Sequence, residues 1–405
     1  MNKRIAIIGG GASGLAAACA INKGADVTIY ERNDRVGKKL LSTGNGRCNL
    51  LNTNISGKQI KSSDGDKIAD ILGNSPSSEV MTFFENLGLL MRIEDGGRVY
   101  PLCNQASAVL DVLRYTAAEK GARICCNFCV EKIIKKDNSF EIKSKDGKTA
   151  SADIVILACG GMAAPKTGSD GLGYKLANSL GHTVAALSPA LSPLKSETVF
   201  TAPLKGIRCK AGIKLISSGN ELVFESGEIQ FTDYGVSGIA AMQLSRHLVK
   251  GAKIVIDFAE EYNEEYILYR LKSAVKTGRD ASELTLGIVQ KRVGQQIIKH
   301  ALGISPATPA GKLSDAELSK LAHAIKALPL DVYGTLSWDN AQVTSGGISL
   351  SEIEPKTMAS KITDNLYILG EMLDADGECG GYNLGFAWLC ALRAAESINK
   401  ELGLC

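Results

Sequence analysis

The chain has 405 residues, 45% of them hydrophobic and 22% charged, with a net charge of +3. That length exceeds the usual size of one hydrophobic core, so two or three structural units are expected. The near-neutral charge and the lack of a long Lys/Arg run argue against a nucleic-acid partner, and the lack of an uninterrupted apolar stretch of bilayer length argues against a membrane one.

The opening residues carry no secretory apolar segment; with eleven cysteines, odd in number and scattered, the expectation is reduced thiols and a cytoplasmic protein rather than a secreted disulfide framework. Arg4-Ile-Ala-Ile-Ile8 reads as a short buried strand, and Gly9-Gly-Gly-Ala-Ser-Gly14 follows it without a gap. Strand, Gly-x-Gly-x-x-Gly and a helix over 15–23 are the ordered parts of a dinucleotide site. Gly9 permits the tight turn, Gly11 the approach of a pyrophosphate, and Gly14 close helix–strand packing, with the helix N-terminus facing the phosphates beside Ser13. A second strand over 26–30 ends at Glu31, where a carboxylate accepts hydrogen bonds from ribose hydroxyls. These parts fit FAD or NAD.

Further along, helical periodicity covers 107–120 and a hairpin is expected around Asp146-Gly147. Cys125, Cys126 and Cys129 lack partners at zinc-ligand spacing, so they read as strand packing, and no metal is expected. Residues 152–158 form another buried-strand pattern, closed by Cys159-Gly160-Gly161. Past 188–193 the pattern changes to short strands with turn signals, then from 262 to 327 to helical spacing, and strands resume at 332–338 and 341–344. A last strand, Leu366-Tyr-Ile-Leu369, ends in Gly370-Glu371; an acidic, Gly-rich loop and an apolar helix over 384–399 complete the chain.

This return to a strand–glycine–helix pattern at the far end favours FAD over NAD, because an NAD dehydrogenase places its second function in a separate catalytic domain. The expected fold class is α/β: a glutathione-reductase-type FAD-binding Rossmann domain from 1–190 and 340–405, a β-rich insert from 191–258 plus 330–339, and a helical cap over 259–329. A pocket for a small-molecule substrate is expected where such a cap meets the cofactor. No second strand-linked Gly-x-Gly-x-x-Gly occurs, and the glycines at 168–173 have the wrong spacing. NAD(P)H is therefore expected as a transient donor rather than a resident ligand.

Several long motifs, in one order, carry a resemblance that runs nearly end to end. They are Gly37-Lys-Lys-Leu-Leu-Ser-Thr-Gly-Asn-Gly-Arg-Cys-Asn49, Thr167-Gly-Ser-Asp-Gly-Leu-Gly-Tyr174, Thr344-Ser-Gly-Gly-Ile348, Glu354-Pro-Lys-Thr-Met358 and Gly370-Glu-Met-Leu-Asp-Ala-Asp-Gly377 with Gly380-Gly-Tyr-Asn383. In these the chain resembles bacterial NAD(P)/FAD-dependent oxidoreductases, the aminoacetone-oxidase family of FAD-binding flavoproteins, which includes bile-acid reductases of gut anaerobes. The resemblance implies non-covalent FAD held by Gly9, Gly11, Ser13, Gly14, Glu31, Arg32, Lys39, Gly160, Gly370, Glu371, Gly381, Tyr382 and Asn383, with the strand near Val130 meeting the adenine through its backbone.

Three residues are candidates for chemistry. Arg47, in a Gly-rich loop, has a permanent charge suited to an anionic ring or a substrate carbonyl, and equally to a structural contact. Tyr382 can donate a proton to an enolate or simply pack on the ring. Asp233 stands in Phe231-Thr-Asp-Tyr-Gly-Val-Ser-Gly238, where the family motif has histidine; a helix cap is the preferred reading and a proton donor the other. Cys48 and Cys379 are assigned no catalytic role.

The leading functional expectation is a reductase that passes hydride from NAD(P)H through FAD to a C=C conjugated with a carbonyl in a steroid-like substrate. The alternatives are an amine or aminoacetone oxidase using O2 and, more remotely, an RNA-modifying flavoprotein.

Overall fold

The computed structural model describes residues 2–275 and 278–404. The chain divides into two units, Met1–Ser188 with Gln342–Cys405, and Pro189–Ala341.

The first unit is built on a five-stranded parallel sheet. Its order is Leu366–Ile368, Ile154–Leu157, Arg4–Ile8, Asp26–Tyr30, Arg123–Cys125. Ile5, Ile7, Val155, Ile156 and Ile368 are at most 1% exposed, as a parallel sheet covered on both faces requires. Helix Ala12–Ala20 follows the first strand directly, and helix Tyr382–Leu402 packs along it. The alanines at 16, 17, 18, 391, 394 and 395 are all buried and let the two helices approach closely. Trp388 fills the other face of the long helix, donating from Nε1 to the Leu50 carbonyl at 2.9 Å and meeting Phe84 edge-on at 5.1 Å.

Two antiparallel sheets extend this unit: Val130–Lys135, Phe140–Ser144 and Thr149–Ala152, which contain the expected hairpin, and Leu51–Asn52, Arg98–Pro101 and Met91–Glu94. The first helix starts earlier than the 15–23 expected, because the glycine motif itself supplies its first turn; it ends at Ala20, with Ile21 already extended. The last helix begins at Tyr382 instead of 384 and runs on to Leu402.

The second unit is a closed barrel of six strands: Leu194–Ser196, Gly235–Ser237, Asn220–Phe231, Arg208–Ser217, Lys253–Asp257 and Leu328–Thr335. Helices Glu264–Val275, Lys291–Leu302 and Asp315–Lys326 bury Leu271, Ile297 and Leu321 in the same core as Phe231 and Ile254 of the barrel. The 191–258 and 259–329 segments thus share one core rather than forming two. The helix expected to start at 231–238 is absent there. Thr232 donates from both its amide and its hydroxyl to the Gly235 carbonyl at 2.9 Å, making a hairpin turn in which Asp233 caps nothing.

Candidate functional site

A crevice of the first unit lies at the carboxyl ends of the parallel strands, lined by Ile8, Tyr30 and Ala158 as each strand runs out. This is where open α/β sheets hold their ligands. The space inside it, open mouth included, is about 1310 Å³.

The glycine loop forms its floor, and each glycine has a different reason to be there. A Cβ on Gly9, whose φ is +110°, would sit 2.4 Å from the Ala158 carbonyl oxygen, and one on Gly14 would sit 2.0 Å from the carbonyl oxygen of Gly9. Both are fixed by the protein's own packing. A Cβ on Gly11 would meet no protein atom within 4 Å, yet Gly11 lines the crevice. The space there is kept for something that is not protein. The helix that starts at Ala12 has no side-chain cap, so its first amide groups and positive dipole end are left for an anion.

Glu31 is 7% exposed and acts as a hub. One carboxylate oxygen accepts the Gly10 amide at 2.9 Å; the other accepts the amide and the side chain of Asn33, each at 2.8 Å. The lone pair that remains on Oε2 suits a ribose hydroxyl. Val130 lines the crevice next to Phe128, whose ring lies 4.6 Å from that of Tyr30.

On the opposite wall, Lys39 Nζ lies 2.6 Å from Glu371 Oε2, and Glu371 Oε1 accepts the Thr344 amide at 3.0 Å. Thr344 Oγ1 in turn accepts the amides of Met162 and Ala163 at 2.7 and 3.1 Å. Gly161 must lack a side chain because its Cβ would lie 2.2 Å from that hydroxyl. Tyr174 donates to the Glu371 carbonyl at 3.2 Å, and burial above all, helped by the Glu371 charge, pushes its hydroxyl well above the ordinary tyrosine range. It stays protonated.

Of the residues named from sequence, Gly9, Gly11, Ser13, Glu31, Arg32, Lys39, Val130, Gly160, Glu371 and Asn383 line this crevice. Gly14, Gly370, Gly381 and Tyr382 stand behind the lining and shape it. A Cβ on Gly370 would touch Ser13 Oγ at 3.1 Å, and one on Gly381 would collide with the Leu51 backbone at 2.4 Å. Asn383 spends its amide on Gly377, accepting its N–H and donating to its carbonyl, both at 2.8 Å. Tyr382 is 8% exposed within the hydrophobic core, and burial raises its pKa.

The other two chemical candidates lie elsewhere. The Arg47 guanidinium stacks 3.9 Å from the Tyr100 ring centroid, donates to Asn104 Oδ1 at 2.8 Å and pairs with Glu94. Its Nε and Nη2 donors are committed to the protein. Asp233, in the second unit, is ion-paired with Lys205 at 2.5 Å, which holds its carboxyl below the usual range. An exposed carboxylate so held is no proton donor near neutrality. The thiols are similarly inert: burial pushes Cys48 and Cys159 up to about 12.

Asn33, Thr344 and Tyr174 were missed as individual site residues, although the last two sit in quoted motifs. Asn49 was missed too. Its Oδ1 is buried without a hydrogen-bond partner among the described residues, and it would lie 2.8 Å from a Cβ on Gly381. A cradle kept open at Gly11 and an uncapped helix start both fit a bound dinucleotide. Among the described residues no acid, cysteine and histidine cluster could hold a metal ion, and no helix is long and apolar enough to cross a membrane.

Comparison with known proteins agrees with this geometry. The family model described as "HI0933-like protein Rossmann domain" matches residues 3–397. A 3-dehydro-bile acid delta(4,6)-reductase of Clostridium scindens is 37% identical over 413 aligned residues, 98% of this chain and 99% of the relative. A ribosomal RNA dihydrouridine synthase of Haemophilus influenzae is 25% identical, covering 98% of both chains. Among solved structures, 3-ketosteroid-delta4-(5alpha)-dehydrogenase from Rhodococcus jostii RHA1 superimposes with a TM-score of 0.52 at 16% identity, covering 98% of this chain and 96% of that one. At that identity the likeness is one of fold.

Proposed function

Since this chain belongs to the HI0933-like Rossmann-domain family, we propose that it is an FAD-dependent reductase that takes hydride from NAD(P)H and delivers it to a C=C conjugated with a carbonyl in a steroid-like substrate. The observation that carries this reading is the end-to-end 37% identity to a bile-acid reductase. The crevice supports the cofactor half of it.

In this reading the uncapped start of helix Ala12–Ala20 receives the pyrophosphate, Glu31 the ribose and the backbone at Val130 the adenine. FAD, when bound, supplies the hydride chemistry at its ring. The chain's own residues bind and orient. Glu371 is fixed by Lys39 and Thr344, so the crevice wall keeps one geometry through turnover. Burial keeps the Tyr174 hydroxyl protonated, as a donor to the Glu371 carbonyl. The nicotinamide donor docks and leaves, since the sequence carries no second dinucleotide motif.

Stopped-flow absorbance of the flavin band tests this under anaerobic conditions. Bleaching by NADH or NADPH, reversed quickly by a steroid enone and slowly by O2, supports a reductase. Bleaching by an amino ketone but by neither nicotinamide, with rapid return in O2, makes it an oxidase. Return of the band with uridine-containing RNA and not with an enone moves the activity towards that of the dihydrouridine synthases.

A further inference from the structure

One stretch of the crevice wall is a loop that the reading above does not use. Residues 161–171 form a loop closed on itself, in which Gly171 donates its amide to the Gly161 carbonyl at 3.1 Å and Ser169 Oγ donates to the same oxygen at 3.0 Å. Loops whose ends meet in this way are compact bodies able to move as one piece. Glycines with positive φ stand at its feet, Gly160 at +72° and Gly171 at +84°.

Its tip reaches the residues that follow the ribose-binding acid. Arg32 Nη1 pairs with Asp170 Oδ1 at 2.5 Å, and Asn33 Nδ2 donates to the Thr167 carbonyl at 3.0 Å. The approach is close enough that a Cβ on Gly168 would lie 2.4 Å from Asn33 Nδ2. Arg32 and Asn33, and Thr167 and Asp170 opposite them, all line the crevice. Both tethers join protein to protein, and both run between those two stretches of crevice lining.

We infer that the tip of this loop, residues 167–170, is a strap held shut over the adenosine half of the crevice by the Arg32–Asp170 ion pair and the Asn33–Thr167 hydrogen bond, its base anchored by the Met162 and Ala163 amides on Thr344, and that FAD passes in and out only when the tip opens. The inference rests on FAD as the bound cofactor. It makes Asp170 a gatekeeper of cofactor exchange rather than an affinity residue. Because the tethers need no cofactor atom, loosening them lowers the barrier equally in both directions, so uptake and release accelerate together and Kd stays in place. A residue that merely touches FAD changes release alone. The ion pair is partly exposed, with side chains 34% and 39% accessible, so its effect is modest and sensitive to salt.

FAD fluorescence reads both rates: its recovery when holoprotein is diluted, and its quenching when apoprotein is mixed with FAD. Asp170→Asn is expected to speed uptake and release alike by about two- to five-fold. Asp170→Glu should restore slow exchange. Raising NaCl from about 50 to 500 mM should accelerate the wild type and leave Asp170→Asn nearly unchanged. Faster release at constant uptake would make Asp170 an ordinary cofactor contact and overturn the strap, as would unchanged rates in Asp170→Asn. A wild-type protein that takes up no FAD at all would overturn the cofactor reading, and the strap with it.

Discussion

Lys39 and Glu371, 332 positions apart in the chain, meet at 2.6 Å on the wall of the crevice. Neither is fully buried, at 26% and 20% side-chain exposure, and Glu371 is also held by the Thr344 amide. Lys39→Met should leave that carboxylate without its cation and weaken FAD binding by about tenfold, or ~1.4 kcal/mol, just under the ~1.5–3 kcal/mol of a charge-assisted hydrogen bond, as its partial exposure requires. Glu371→Gln, which keeps an acceptor for Thr344, should cost less. Fluorescence titration of apoprotein with FAD ranks the two; the reverse order would shift the main role from the ion pair to the backbone contact.

Gly11 and Gly14 separate ligand space from packing space. Gly14→Ala pushes a methyl group to 2.0 Å from the Gly9 carbonyl oxygen, so it should lower the melting temperature of the apoprotein, with a cost of ~1–3 kcal/mol or more. Gly11→Ala should leave that melting temperature in place and reduce FAD affinity by about tenfold or more, because its methyl enters space kept clear of protein. Equal affinity in wild type and Gly11→Ala would mean that the cofactor does not approach this backbone.

For Arg47 the stacking on Tyr100 and the bonds to Asn104 and Glu94 point to a structural role. Arg47→Ala is expected to destabilise the protein by about 1–2 kcal/mol through lost packing and hydrogen bonds. The FAD-loaded fraction should keep its kcat within about threefold, since loss of positioning alone leaves the chemistry intact. A fall in kcat of a hundredfold with normal FAD content would return Arg47 to the chemistry.

Acid should loosen one cluster in particular. Burial pushes the Glu352 carboxyl up, but the hydroxyl and amide of Thr183 and the ring of His182 outweigh it and hold the pKa below the ordinary glutamate value. A depressed folded pKa means stabilisation that is fully present above the unfolded value of ~4.3 and is lost as pH falls through the folded one. The melting temperatures of wild type and Glu352→Gln should therefore differ most near pH 6 and converge below about pH 4. A gap that stays constant over that range would mean the interaction is insensitive to charge.

Much of the first unit was legible because its signals are local. Arg4–Ile8, the three spaced glycines and Glu31 lie within one strand–turn–helix–strand stretch, where each residue type follows from backbone conformation or approach distance. The pairing of Lys39 with Glu371, and of Asn33 with Thr167, had no such signal, since these contacts are made only when distant segments converge. Asp233 failed for a different reason. A Thr-Asp pair before a small-residue run suits a helix cap, but strands Asn220–Phe231 and Gly235–Ser237 pair with each other and force a hairpin turn instead. Barrel closure was equally hidden, because it depends on strand Leu328–Thr335 pairing with both Leu194–Ser196 and Lys253–Asp257.

The parallel sheet takes an outer strand, Leu366–Ile368, from near the far end of the chain, and its first helix packs against Tyr382–Leu402. On the ribosome, therefore, the whole 189–341 segment has been synthesised before the sheet around the glycine loop acquires its last strand. The nascent amino-terminal half carries Gly11 and Glu31 but not Glu371, so a growing chain has half a binding site until translation is nearly over. Cofactor capture waits for that last strand, and a transcript cut short between residues 341 and 366 encodes every strand of the barrel but leaves the sheet unfinished.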